Sequence, residues 1–320
     1  MIESKRSERR SAVSKRNFIK LAMAATCATT LELSPFVKAV QTSSFKGLLC
    51  FFSKQWPSMN WQHLAQAVRK LGFDGVDLTV RPGGHVLPER AAEDLPKAVA
   101  DIKAEGLAVP MITTALTSAS DPTAKPILST AGNLGIPFFK PGYYKYEFKD
   151  IRRELEKFGA EFSALAELGK QAGVQCGFHN HEGNIGAPLW DVATVIDRLD
   201  PKWAGYYFDV RHAVVEGGSG GWKIATNLVA PRLKMIAVKD FYWEKSAKGW
   251  RIVNCPLGEG MVDWRQYFKL LRQANFHGPV SLHLEYEIAG ATAAAKEENT
   301  IAAARRDLEF LKARILEAYK

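Results

Sequence analysis

The chain has 320 residues, 47% of them hydrophobic and 24% charged, an ordinary globular balance that excludes extensive disorder beyond the first segment and supplies enough apolar side chains for one large core. The formal charge of +9 is unevenly placed: residues 1–39 hold eight Lys and Arg against three Glu, which leaves 35 basic and 31 acidic residues for the body. So small an excess gives no dense basic stripe to neutralise a row of phosphates, which argues against nucleic acid as a partner.

The first segment is basic, then moderately apolar from Leu21 to Leu33, then offers Val37-Lys38-Ala39 as a small-residue cleavage site. This is the plan of an export signal, too short and too weakly apolar for a membrane span. Ser14-Lys15-Arg16-Asn17-Phe18-Ile19-Lys20 is similar to a twin-arginine signal with Lys15 in the place of the first arginine, which keeps the general secretory route open. The expected location is periplasmic or secreted, with residues 1–39 as signal, 40–320 as one domain, and no stable membrane anchor. Removal of Cys27 with the signal leaves Cys50, Cys176 and Cys255, without CxxC spacing, so neither a disulfide framework nor a cysteine zinc site follows.

The body alternates short apolar runs with helical stretches. Strands are expected at Lys46–Phe52, Gly75–Val80, Leu107–Thr113, Ile136–Lys140, Val174–Phe178, Trp203–Phe208, Leu233–Val238 and Pro279–Leu284. Helices are expected over 61–71, 88–105, 122–134, 148–172, 189–199, 221–228, 264–273 and 293–317. Eight such units fit a single (β/α)8 barrel of about 250 residues. An open doubly wound sheet would normally show a GxGxxG turn after its first strand, and Ser53-Lys54-Gln55-Trp56-Pro57 is unlike one. The segment 241–262, with Trp243 and Trp250, is the longest rim insertion and suits a lid or substrate wall.

Polar residues fall where apolar runs end, the rim on which such barrels carry their chemistry. His179 and His181, two apart, point the same way if the fifth strand continues, as two imidazoles aimed at one ion would. Asp209 and His212 form an Asp-x-x-His turn, and Asp209 there either caps the loop or faces a cation. Lys239 can hold an enolate oxygen or pair with Asp209 or Glu285. Glu285 can serve as ligand or general base, with His283 on the same strand face. Arg81, His85, Lys140, Tyr143 and Trp243 are candidate substrate contacts; Glu285, Lys239 and His212 are the catalytic candidates.

Phe73-Asp74-Gly75-Val76-Asp77-Leu78, Phe208-Asp209-Val210-Arg211-His212, Val238-Lys239-Asp240, Pro256-Leu257-Gly258-Glu259-Gly260 and Leu282-His283-Leu284-Glu285 resemble, in order and spacing, the sugar phosphate isomerase/epimerase superfamily with its xylose isomerase-like barrel. The resemblance spans about residues 46 to 290. It implies one divalent ion, commonly manganese, held by a glutamate, an aspartate, a histidine and a glutamate after strands five to eight. Those positions are His179, Asp209, Ala237 and Glu285 here; His181, on the face of His179, is the expected substitute for the ligand Ala237 cannot supply. The resemblance therefore implies a metal-assisted isomerase or epimerase of a sugar or keto-sugar, with metal candidates His179, His181, Asp209 and Glu285. A lyase or hydratase on an oxidised sugar, and a carbohydrate-binding barrel without turnover, are the alternatives.

Overall fold

The computed structural model describes residues 44–320, so the export signal expected at 1–39 lies outside the described residues. In chain order these residues form β1 (Leu49–Phe52), α1 (Trp61–Leu71), β2 (Gly75–Val80), α2 (Ala91–Ala104), β3 (Ala108–Thr114), α3 (Ala124–Asn133), β4 (Phe138–Lys140), α4 (Ile151–Ala172), β5 (Gln175–His179) and α5 (Trp190–Ile196). There follow β6 (Ala204–Asp209), α6 (Val210–Val229), β7 (Leu233–Val238), β8 (Asp240–Ser246), β9 (Gly249–Cys255), α7 (Trp264–Gln273), β10 (Val280–Leu282) and α8 (Ala293–Ala318). β1 to β7 and β10 close into one parallel barrel, sealed where β1 pairs with both β2 and β10. The expected (β/α)8 fold is thus the fold.

Local chemistry explains the elements. Leu64, Ala65, Val68 and Leu71 recur on one buried face of α1; Asn60 caps its start by accepting from His63 N at 2.8 Å, and Gly72 ends it in the left-handed region at φ 86°. Asp150, Asp263 and Thr292 cap α4, α7 and α8 in the same way. Two differences from the expected elements stand out. The sixth helix begins at Val210 rather than 221, directly after β6, and is broken at Gly218, whose φ of 57° and ψ of −153° are not helical. The insertion after β7 is an antiparallel hairpin of β8 and β9 rather than an irregular loop.

Period-two alternation sorts the barrel strands into two faces. Ile112, Phe208, Ile236 and Val238 belong to the large core under the helices, whereas Met111, Tyr207, Met235 and Ala237 form a separate cluster inside the barrel. The same inner parity continues upward through Lys140, His179, Asp209, Lys239, His283 and Glu285. Side chains of this parity meet across the barrel: Asp77 of β2 accepts from Thr113 Oγ1 at 2.8 Å, Ser281 Oγ at 2.8 Å and Tyr207 Oη at 3.2 Å. Among the described residues no helix is long and apolar enough to cross a membrane.

Candidate active site at the barrel mouth

Asp209 is a fully buried charged group of the mouth. It ends β6 and caps α6, its Oδ1 accepting from His212 N at 3.2 Å, so capping and site placement are one role. Its other oxygen, Oδ2, lies 3.2 Å from Lys239 Nζ, 3.3 Å from His179 Nε2 and 3.7 Å from His212 Nε2. Burial alone would raise this carboxyl, but the Lys239 ammonium, with His212 and His179, holds it well below the usual carboxylate range.

Lys239, one residue past β7, is buried and spans two carboxylates: its Nζ is also 2.9 Å from Glu285 Oε2. Burial lowers a lysine, yet Asp209 and Glu285 together keep this one above its ordinary value. Glu285 is drawn down against its own burial by Lys239, His283 and Lys54. With its side chain 20% exposed, Glu285 is reachable from solvent, and Lys54 Nζ pairs with its Oε1 at 3.2 Å from the outer side.

His179 is sandwiched by partners. Its Nε2–H donates to Asp209, its Nδ1 accepts from Tyr143 Oη at 3.2 Å, and its ring stacks on Tyr207 with centroids 4.7 Å apart. Burial pushes its pKa down to about 4, so the ring is neutral at ordinary pH. Asn180 splices the ends of β5 and β6: its Nδ2 donates to Asp209 O at 2.9 Å and its Oδ1 accepts from Asp209 N at 2.8 Å.

His181 follows that splice. The strand stops at His179, yet His181 stays on the side of the mouth: the two rings stand 6.2 Å apart and nearly perpendicular, and Tyr143 neighbours both, at 5.9 Å and 4.7 Å. His181 also lies against His212, with centroids 3.9 Å apart, and its Nδ1 faces Glu182 O at 3.0 Å. His212 Nδ1 accepts from Arg211 Nη1 at 3.0 Å, and Glu182, which also pairs with Arg211, is 3.2 Å away. Its Nε2 is buried without a hydrogen-bond partner. Burial, then Lys239, hold His212 well below its usual value.

The expected substrate contacts divide. Lys140 is buried with its Nζ 3.5 Å above the Tyr143 ring, and burial, then the charge of Arg81, lower it well below the ordinary lysine range. Tyr143 reaches the site through His179. Arg81 lies over Phe52 at 5.7 Å, and His85 Nδ1 is 3.3 Å from Thr79 Oγ1, both at the top of β2. Trp243 is half-exposed on β8 against Phe241 at 6.3 Å, and Phe241 in turn lies under Arg211 at 5.2 Å. Beside the mouth a cavity of about 490 Å³ is lined by Lys54, Gln55, Pro57, Leu284 and Tyr286.

Sequence reasoning missed four participants: Lys54, Asn180, Glu182 and Asp77. Asn180 and Glu182 sit beside His181, which it singled out, and Lys54 lies just past the end of the first strand. Asp77 sits inside an apolar run, where an unexplained acid was itself the signal.

As arranged, these residues do not fit a divalent ion. Ala237, the register partner of Asp209, supplies no ligand, Lys239 Nζ stands between the two carboxylates, and among the described residues no group of three or more His, Cys, Asp or Glu is gathered to hold one.

The family model of the xylose isomerase-like TIM barrel matches residues 65–314. The inosose dehydratase of Mesomycoplasma hyopneumoniae (strain 7448) is 22% identical over 193 residues, covering 56% of this chain and 59% of that protein, so the chain spans little more than half of this relative. Among solved structures, a xylose isomerase-like TIM barrel protein from Mycobacterium smegmatis in complex with magnesium superposes with a TM-score of 0.65 at 15% identity, covering 86% of this chain and 98% of that one. D-psicose 3-epimerase with D-tagatose from Clostridium cellulolyticum H10 gives 0.65 at 14% identity, covering 84% and 99%. These likenesses show the fold.

Proposed function

Because the chain belongs to the xylose isomerase-like TIM barrel family, we propose that it is an enzyme acting on a small sugar or keto-sugar by removing the proton next to a carbonyl, in an isomerisation or epimerisation. The observation that carries this reading is Lys239 Nζ 2.9 Å from Glu285 Oε2, a proton acceptor beside a fixed cation. In the step, Glu285 takes the proton from carbon, the electron pair of that bond forms the enediolate double bond, and Lys239 donates an N–H to the oxygen where charge collects. As Lys239 turns toward that oxygen, Glu285 loses one of its two counterions, Lys54 remaining on Oε1, and becomes a stronger base. Return of the proton from Glu285 to the neighbouring carbon, with the hydroxyl proton passing between the two oxygens, gives the isomer; the epimer requires a second proton donor on the opposite face, the original proton staying on Glu285 until it exchanges with solvent. Lys140, Tyr143, Arg81 and His85 are the hydroxyl contacts of this reading. No step runs through a divalent ion, manganese included, because the residues present do not fit one.

A lyase shares the first step and then expels a β-hydroxyl, which leaves as water by taking the proton that Glu285 removed from carbon. The Nε2 of His212, without a hydrogen-bond partner, favours this reading as a hydrogen-bond donor to the leaving oxygen, and so does the likeness to an inosose dehydratase. Incubation with a panel of sugars and 3-keto-sugars in deuterated water separates the cases: deuterium on carbon in recovered sugar supports isomerisation, and loss of water supports the lyase. Glu285→Gln should lower either rate about 10²- to 10⁴-fold. Equal exchange in Glu285→Gln and wild type would refute the assignment, and binding without exchange would leave a carbohydrate-binding barrel.

A further inference from the structure

The two carboxylates that the resemblance assigns to a divalent ion are bridged by a side chain of this protein. Lys239 Nζ is 3.2 Å from Asp209 Oδ2 and 2.9 Å from Glu285 Oε2, and both Asp209 and Lys239 are buried. We propose that the Lys239 ammonium is the resident cation of this barrel mouth, occupying the space between Asp209 and Glu285 and keeping divalent ions out. The inference adds to the proposed function the nature of its electrophile.

Three further features agree with it. An ion shared by both carboxylates would sit roughly 2.0–2.2 Å from each oxygen, inside the volume the ammonium fills. A buried ammonium and a doubly charged ion cannot share that space, because their repulsion is poorly screened there. The strand that should bring a further ligand brings Ala237 instead, packed with Met111, Tyr207 and Met235. Two of the imidazoles are otherwise engaged: His179 is held by Asp209 and Tyr143, and His181 lies against His212, while His212 Nε2 and His283 Nδ1, without hydrogen-bond partners, stand 3.7 Å from Asp209 and 4.0 Å from Glu285.

The substitution changes what the site can offer. An ammonium stabilises a developing oxyanion by donating hydrogen bonds rather than by Lewis acidity, and its three N–H groups outnumber its two carboxylate partners. Such a site needs no loading and is indifferent to chelators.

The test is calorimetric titration of the EDTA-dialysed full chain with MnCl2, alongside Lys239→Ala and Lys239→Met. Wild type should show no saturable uptake, and the variants should gain saturable binding at least about tenfold tighter than any in wild type. Stoichiometric Mn2+ in wild type, or folded variants that gain nothing, would overturn the proposal. Should neither variant fold, the melting midpoint of wild type decides: no change between EDTA and MnCl2 supports the proposal, and a saturable rise with Mn2+ overturns it. The titration stands apart from turnover, so failure of every sugar to exchange would remove the proposed function without touching this result.

Discussion

Asp77 offers a direct measurement of what a carboxylate costs inside the barrel. It is fully buried, and burial raises its pKa from 3.8 to about 6 even though Ser281, Thr113 and Tyr207 all donate to it. The folded chain therefore prefers the protonated form. Stability from this group is whole below 3.8 and is lost as pH rises through about 6. The gap is worth about 3 kcal/mol in full, of which about 2 kcal/mol falls between pH 4.5 and pH 7.5. Asp77→Asn keeps the shape without the charge, and the neighbouring hydroxyls can rotate to accept from the new amide. In urea unfolding across that range, the variant should gain about 2 kcal/mol on wild type as pH rises. Asp307, also raised to about 6, titrates in both proteins and cancels in the difference. Parallel stability curves for the two proteins would refute the argument.

Asn180→Ala removes both bonds of the splice and takes a buried partner from each of Asp209 N and O, so urea midpoints should report a loss of about 1–3 kcal/mol, accompanied by lower turnover as His179 and Asp209 drift apart. Asp240 gathers Phe241 N, Gly258 N, Gly260 N, Val262 N and Trp264 Nε1, which fastens the segment after β9 beside Lys239. Asp240→Ala should cost at least about 3 kcal/mol, and a loss below about 1 kcal/mol in the same assay would show that the donors find other partners. For export, mass spectrometry of the mature protein should find about the first 39 residues removed, and substitution of Lys15 and Arg16 should retain the chain inside the cell; uncleaved cytoplasmic protein would reject the signal.

The barrel was legible because each βα unit carries its own local cues. Gly75–Val80 and Leu233–Val238 coincide with the expected strands, and Trp61–Leu71 with its helix, where apolar periodicity and a glycine stop agree. α6 was cut short in the reading because Gly217, Gly218, Gly220 and Gly221 have poor helix propensity, which tertiary packing overrode on either side of the Gly218 break. The hairpin escaped notice because Trp243 and Trp250 are exposed on it, and period-two patterning is weak without a buried face. In the site, strand parity correctly placed His179, Asp209, Lys239 and Glu285 on the inner face. His181 lies beyond the end of β5, where Asn180 bonds to β6, and it still shares Tyr143 and His212 as neighbours with His179.

The seam between β1 and β10 also governs when the site can exist. Lys54 and Glu285 are 231 residues apart in the chain, and they meet because the last strand docks beside the first. Contacts of such separation carry a large loop-closure cost and tend to form late in folding. A nascent or partly refolded chain can hold most of its helices and still lack a competent mouth. Recovery of activity in refolding should therefore lag recovery of helical signal, and damage at either edge of the seam should slow the former more than the latter.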